Sequence, residues 1–272
     1  MKVFDGHQLA LQIEAELKQK IQRLKRRPQL TVFLLNNNPE SQLYVQKKKV
    51  LAERIGVNFN LIQLIKAETN PVLQLIKEQN NQRSVAGIMV QLPLNRGLNE
   101  RKILDAIDPQ KDVDCLTSKN LGLVAAGQPR FLPATVKGIM TILTQEKVVV
   151  RGRQAVVVGG SNIVGKPLAL VLSNQGATVT LVRSSEKNLA QITRQADILI
   201  TAVGRQNLIK ASMVKEGAVV IDVGITRCDN QECHVYGDVD FKRVKTKASL
   251  ITPVPGGVGP LTVVSLFENL IL

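Results

Sequence analysis

Several side chains in this 272-residue chain have the types and spacings that chemistry uses. Tyr44 and Lys48 stand four positions apart in a helical segment, so they share one helix face. Taken alone, the run Lys47-Lys48-Lys49 reads as a solvated basic face. Gln91 closes an apolar strand, the place where ligands meet parallel α/β sheets. Asp112 and Asp114, in Lys111-Asp112-Val113-Asp114, offer carboxylates that accept hydrogen bonds. Gly159-Gly160-Ser161-Asn162-Ile163-Val164-Gly165 joins a strand to a helix. Glycines at such a turn let the backbone approach a pyrophosphate, and the helix start supplies N–H groups and a positive dipole end. The spacing is not GxGxxG, and on this stretch alone a ligand-free glycine turn is the better reading. The strands that surround it favour a nucleotide site. Arg183-Ser184-Ser185 ends the next strand, where an acid would hold the ribose hydroxyls of NAD and a cation suits the 2′-phosphate of NADP. This reading favours NADP, with NAD the alternative, against Arg183 as one more surface charge.

These groups need elements to hold them. Leu9, Ile13, Leu17, Ile21 and Leu24 recur at helical spacing, and Pro28 stops the pattern. Leu30 to Leu35 reads as a buried strand, and Asn36 to Pro39 as a loop. Ser41 then caps a helix that runs to Ile55 and ends at Gly56. A strand over Asn58 to Leu64, a helix from Pro71 and a strand over Val85 to Gln91 follow. After residue 154 come strands at Ala155–Val158, Ala177–Val182, Asp197–Thr201 and Ala218–Asp222, with a helix from Val164 to Asn174. Strands alternating with helices imply α/β architecture with parallel sheets, the second set Rossmann-like. The expected division is a first, catalytic α/β domain over 1–135 and a dinucleotide-binding domain over 136–259. A last helix over 260–272 packs back on the first, and a cleft separates the two domains.

Composition sets outer limits. Apolar content of 44% and charged content of 21% describe an ordinary globular protein, and no apolar run reaches the ~20 residues that span a bilayer. The N-terminus lacks the apolar stretch of a signal peptide, so a cytoplasmic protein is expected. Cys115, Cys228 and Cys233 are an odd number without CxxC spacing, which supports neither a disulfide framework nor a metal site. A net charge of +14 invites nucleic acid, but 3% aromatic residues and no Trp leave few platforms for stacking bases. A solvated basic surface, or attraction of an anionic substrate and cofactor, is preferred; no nucleic acid or membrane partner is expected.

Tyr44-Val45-Gln46-Lys47-Lys48, Val90-Gln91-Leu92-Pro93-Leu94, Lys111 to Asp114, Gly159 to Pro167 and Thr252-Pro253-Val254-Pro255-Gly256-Gly257-Val258-Gly259-Pro260 occur in one order. With them the chain resembles, over essentially its whole length, the bifunctional methylenetetrahydrofolate dehydrogenase/methenyltetrahydrofolate cyclohydrolase family. The resemblance implies oxidation of 5,10-methylenetetrahydrofolate with NADP, then hydrolysis of the methenyl cation to 10-formyltetrahydrofolate. It implies a folate substrate bearing glutamate tails and a homodimer.

The resemblance also implies roles. Lys48 becomes the catalytic residue of the hydrolytic step, tuned by the hydrogen bond that its ammonium donates to Gln91. Tyr44 stacks on the folate rings, Asp114 orients the pterin, and Leu92, Pro255, Gly256 and Gly257 complete the folate site. Gly159, Gly160, Ser161, Ile163, Val164, Gly165, Arg183, Ser184, Thr135 and Ile225 form the cofactor site. Asp112 is read as a structural partner.

Departures from the family pattern are Gly160, where the family has arginine, Arg183, where it often has histidine, and Cys115, where it has glycine after Asp114. Arg183 is read as supplying the cation missing at Gly160. Alternatives are a dehydrogenase, NAD-using or not, with weak cyclohydrolase activity, and a non-catalytic folate or nucleotide binder; intact Tyr44, Lys48, Gln91 and Asp114 argue against the second.

Overall fold

The computed structural model describes residues 1–227 and 235–272. Cys228 and Cys233 lie outside the described residues. Chain order runs β1 (Lys2–Val3), α1 (Gly6–Gln22), β2 (Gln29–Leu34), α2 (Pro39–Ile55), β3 (Asn58–Gln63), α3 (Thr69–Asn81), β4 (Val85–Gln91), α4 (Glu100–Asp105), α5 (Ser118–Ala125) and α6 (Ala134–Gln145). It continues through β5 (Gln154–Val158), α7 (Gly165–Asn174), β6 (Thr178–Val182), α8 (Leu189–Thr193), β7 (Ile198–Thr201), β8 (Val219–Asp222), β9 (Thr226–Arg227), β10 (Val235–Tyr236), α9 (Phe241–Val244), β11 (Leu250–Ile251) and α10 (Val258–Leu270). No helix among the described residues is long and apolar enough to cross a membrane.

The chain forms two compact units, one of residues 11–134 with 263–272, the other of 1–10 with 135–262. The first holds a parallel sheet of order β3-β2-β4. Strand β2 is central, and its Leu30, Val32 and Phe33 are fully enclosed, as a parallel strand covered on both faces requires. Phe33, Leu35, Val72, Ile76, Ile88, Val90 and Ile103 form the core between sheet and helices. The edge of β4 is extended at Asp112, which bridges Ile88 in parallel. The Ile88 N–H donates to the Lys111 carbonyl at 2.7 Å. That pairing lays the Lys111–Asp114 segment beside β4, whose last residue is Gln91.

The second unit holds a six-stranded parallel sheet, order β1-β11-β8-β7-β5-β6. The reversal of winding at β5 is the doubly wound pattern of dinucleotide-binding folds. The α/β class with parallel sheets and a Rossmann-like second set therefore holds. Within this unit β1 was not legible in sequence. It is two residues long and pairs with β11 near residue 250, so its partner supplies what its own pattern lacks. The first ten residues consequently group with 135–262, where the sequence reading had placed them with the catalytic domain.

Several boundaries also move. Helix α2 is capped by Asn38, whose side chain accepts from the Glu40 N–H at 2.8 Å, and Pro39 occupies the first turn. Ser41 is not the cap; it is buried inside the helix. Asparagine followed by proline is the stronger start, because proline's fixed φ suits the first helical position and its missing N–H is not needed there. Helix α3 starts at Thr69 and α10 at Val258, each before the sequence estimate.

Candidate active site

The first unit gathers four polar side chains at the carboxyl end of β4. Of three successive lysines on α2, Lys47 and Lys49 are exposed and Lys48 is 6% exposed. Val45, Lys48, Ala52 and Ile55 lie on the buried face of this helix, which carries the Lys48 stem inward. Its ammonium donates to Gln91 Oε1 at 3.1 Å and sits 5.6 Å from the centre of the Tyr44 ring. Gln91 donates its own amide to the Leu92 carbonyl at 2.9 Å, which fixes the acceptor oxygen toward Lys48. Burial pushes the Lys48 amine down to about 8, while the negative charge of Asp114 opposes that fall.

Asp114 is half-buried, and its surroundings push the carboxyl up to about 7. Desolvation is the main cause; Lys48 pulls it back down, Asp112 pushes it further up, and the Ala134 N–H lowers it. Asp112 has a different part. Its carboxylate accepts from the N–H groups of Leu116 and Thr117 at 3.1 and 2.9 Å and from the Asn120 amide at 2.9 Å. It therefore ties the 112–120 turn together. Asn269 on α10 donates to the carbonyls of Val113 and Leu132, both at 2.8 Å, steadying the chain on either side. Lys111 donates to the carbonyls of Asn80 and Gln82 at 2.6 and 2.8 Å, at the end of α3.

Cys115 takes the residue after Asp114 into the left-handed region, φ 57°. Its side chain is fully enclosed and its thiol donates to the Phe131 carbonyl at 3.1 Å. Burial, with Asp112 and Asp114 nearby, pushes this thiol well above its usual range. It is therefore a packed thiol and not a nucleophile.

Sequence reasoning missed Asn36. It is buried, its side-chain oxygen accepts from the Asn38 N–H at 2.8 Å, and its amide donates to the Pro93 carbonyl at 2.5 Å. It joins the loop after β2 to the loop after β4. The signal was present in the asparagine run that follows an apolar strand.

In the second unit the turn between β5 and α7 is closely built. Gly159 has φ 121°, and a side chain there would overlap the Ala202 carbonyl. A side chain on Gly165 would overlap the Gly159 carbonyl, so helix and turn touch through bare backbone. Ser161 Oγ accepts from the Val164 N–H at 3.1 Å. Gly160 faces open space, its nearest neighbour being Arg183 Cγ, 4.0 Å from where a Cβ would stand. Arg183 is exposed and Ser184 half-buried at the end of β6. A bare-backbone turn at a helix start, with a cation and a hydroxyl at the next strand end, fits a dinucleotide bearing a 2′-phosphate. Ile163 and Val164 lie at the mouth of the turn, and Ile225 follows β8 with 41% of its surface exposed. Thr135 stands in the first turn of α6 and its hydroxyl accepts from Thr262 at 3.4 Å. Pro255 is exposed, and Gly256 and Gly257 pack against the N-terminal segment, with Gly6 N–H donating to the Gly256 carbonyl at 2.9 Å.

A Rossmann-type unit with such a turn, in one chain with a unit that buries a lysine against a glutamine, defines a nucleotide-dependent α/β enzyme. Comparisons with known proteins agree. The family described as tetrahydrofolate dehydrogenase/cyclohydrolase, catalytic domain, matches residues 4–114, and its NAD(P)-binding domain matches 133–272. Bifunctional protein FolD of Lactococcus lactis subsp. cremoris is 47% identical over 99% of this chain and 95% of its own length. The crystal structure of the bifunctional FolD methylenetetrahydrofolate dehydrogenase/cyclohydrolase from Campylobacter jejuni is 43% identical, covers 100% of this chain and 97% of that one, and superposes with a TM-score of 0.96. The Trypanosoma brucei FolD, crystallised with NADP cofactor and an inhibitor, is 34% identical over 99% of this chain and 95% of that one, also at 0.96. The chain belongs to the tetrahydrofolate dehydrogenase/cyclohydrolase family.

Proposed function

We propose that this protein oxidises 5,10-methylenetetrahydrofolate to the 5,10-methenyl cation with NADP and hydrolyses that cation to 10-formyltetrahydrofolate. The observation that carries the reading is the buried Lys48 ammonium held by Gln91 and lowered to about 8 in the catalytic-domain unit. An amine with that acidity is neutral in a useful fraction near neutral pH and can take up and return a proton.

In the hydrolytic step water adds to the electrophilic bridge carbon of the methenyl cation. Lys48 in its neutral form accepts one proton from that water. The resulting tetrahedral adduct then breaks its bond to N5, and the Lys48 ammonium returns the proton to that nitrogen. The hydroxyl proton leaves as the formyl C=O forms, so one proton is released for each water consumed. Gln91 keeps the amine aimed, Tyr44 gives the folate rings a stacking face, and ionised Asp114 accepts from pterin N–H groups. Leu92, Pro255, Gly256 and Gly257 complete the folate contacts.

In the oxidative step bound NADP supplies the hydride acceptor. Folate nitrogen lone pairs drive hydride departure, so the chain's task is positioning. Gly159, Gly160, Ser161, Ile163, Val164 and Gly165 form the phosphate cradle; Arg183 and Ser184 take the 2′-phosphate, and Thr135 and Ile225 complete the cofactor contacts. The trypanosomal relative crystallised with NADP supports the choice of cofactor. We read the unit of residues 11–134 with 263–272 as the folate-handling domain and the unit of 1–10 with 135–262 as the dinucleotide domain. We also read the protein as a cytoplasmic homodimer acting on folates with glutamate tails, whose negative charge suits a chain of net charge +14.

The test follows absorbance of the purified protein with methylenetetrahydrofolate and NADP or NAD, then with methenyltetrahydrofolate alone. NADP reduction together with decay of the methenyl chromophore above the uncatalysed rate supports the reading. Reduction of NAD only overturns the cofactor assignment, and a folded protein with neither activity overturns the function.

A further inference from the structure

Two buried carboxylates in the dinucleotide unit have no part in the chemistry above. Asp222 ends β8 and is 3% exposed; Asp238 follows β10 and is fully enclosed. Asp222 accepts from the N–H groups of Gly224 and Asp238, both at 3.0 Å, from that of Val239 at 2.9 Å, and from the Thr201 hydroxyl at 3.3 Å. Asp238 accepts from the N–H groups of Val203 and Arg205 at 2.8 and 2.7 Å, with Gly204 N–H between them. Consecutive N–H groups converging on one anion form a nest.

The two carboxylates interlock. A side chain on Gly224 would overlap the Asp238 carboxylate, and one on Gly237 would overlap that of Asp222. Burial pushes both carboxyls up, Asp222 to about 7, while their N–H donors pull them back. Acids kept at a site that disfavours their charge call for a reason beyond packing.

Three loops meet in this clamp: 202–205 after β7, 223–225 after β8, and 237–239. The first also closes on the glycine turn, since Gly159 lies against the Ala202 carbonyl. In a doubly wound sheet ligands lie outside the carboxyl ends of the strands. With the pyrophosphate at the β5 turn and the adenosine ribose at β6, the other nucleotide must fall toward β7 and β8.

We infer that Asp238, locked by Asp222, is a positioning residue that shapes the β7 and β8 loops to receive the nicotinamide half of the dinucleotide. The inference rests on the proposed dinucleotide function. Asp238 acts through the backbone of residues 203–205 and touches no reacting atom.

The test uses the full chain with Asp238→Asn, which puts an amide donor against N–H groups. Two ligands are titrated by fluorescence or calorimetry: NADPH, and adenosine 2′,5′-bisphosphate, which carries only the adenosine half. The variant is expected to weaken NADPH about tenfold or more and to leave the bisphosphate within about twofold, the loss corresponding to about one charge-assisted hydrogen bond. The KM for NADP should rise with it, while methenyl hydrolysis without dinucleotide, performed by the Lys48 unit, stays at the wild-type rate. Equal weakening of both ligands, or no change in NADPH, overturns the inference. If wild type binds neither ligand, the cofactor reading itself fails, which is a separate result. Should Asp238→Asn not fold, Thr201→Val removes only the hydroxyl that braces Asp222. It should show the same split at about two- to fivefold, and its absence in a folded Thr201→Val protein overturns the inference.

Discussion

Lys48 Nζ and Gln91 Oε1 stand 3.1 Å apart, one on the buried face of a helix and the other at the last residue of a strand. Burial favours the neutral amine, whereas an acceptor oxygen favours the ammonium. The pair holds Lys48 between its two protonation states, as proton relay requires.

Replacing Lys48 by methionine keeps the stem and removes the proton carrier. Hydrolysis of methenyltetrahydrofolate should fall by about 10²–10⁴-fold, the usual worth of a positioned acid–base group. NADP reduction should persist at a measurable rate. Loss of both activities in equal measure would argue that Lys48 serves only to hold folate. Stability provides a second check. The amine falls from 10.5 to about 8 on folding, so between those values the unfolded chain holds a proton that the native protein has released. Native stability therefore rises with pH across that window. At pH 7 both states are charged and the full burial penalty is present. Lys48→Met should melt higher than wild type at pH 7, with the gain shrinking from pH 8 to 10.5.

The catalysed hydrolysis should itself rise with pH through about 8, because the neutral amine is the working form. Gln91→Ala takes away an acceptor from the ammonium and should move this rising limb to lower pH, by up to about one unit. The profile is read from initial rates after subtracting the uncatalysed reaction. A limb moved upward, or a flat profile, removes the proposed tuning role.

How much of this was legible in the sequence depends on range. Strand β2 and helix α2 show in local pattern, since Leu30, Val32 and Phe33 are fully enclosed and Gly56 supplies the left-handed cap, φ 87°. What escaped depends on distant partners. Strand β1 has two residues and no periodicity, and exists because β11 pairs with it. The identity of the working lysine was not in the triplet Lys47-Lys48-Lys49, whose members are chemically alike. Family resemblance chose Lys48, and burial sets it apart physically. Asp222 and Asp238 were silent for the same reason: their donors come from loops that only the sheet brings together.

Arg183 and Gly160 make a second pair that sequence could suggest and structure can place. The position of a side chain at 160 points to Arg183, 4.0 Å from its Cγ. Arg183→Ala should weaken NADP about 10- to 100-fold, in line with a hydrogen bond to a charged group, and NAD by no more than about threefold. Gly160→Arg added to Arg183→Ala should restore much of the lost NADP affinity. Equal losses for the two nucleotides would sink the compensation.

Cys115 tests strain against volume. Its φ of 57° disfavours any side chain by about 1–2 kcal/mol, yet its enclosed sulfur fills space and meets the Phe131 carbonyl at 3.1 Å. Glycine relieves the backbone and leaves a small void, and the two effects oppose each other at about 1 kcal/mol each. Alanine keeps the strain and still loses the sulfur, so it should be less stable than glycine although it is closer to cysteine in size. Valine, β-branched at positive φ, should be worst, by about 3 kcal/mol or more. Denaturant unfolding of the three variants gives the order directly. If alanine proves more stable than glycine, packing and not backbone strain governs the turn beside Asp114.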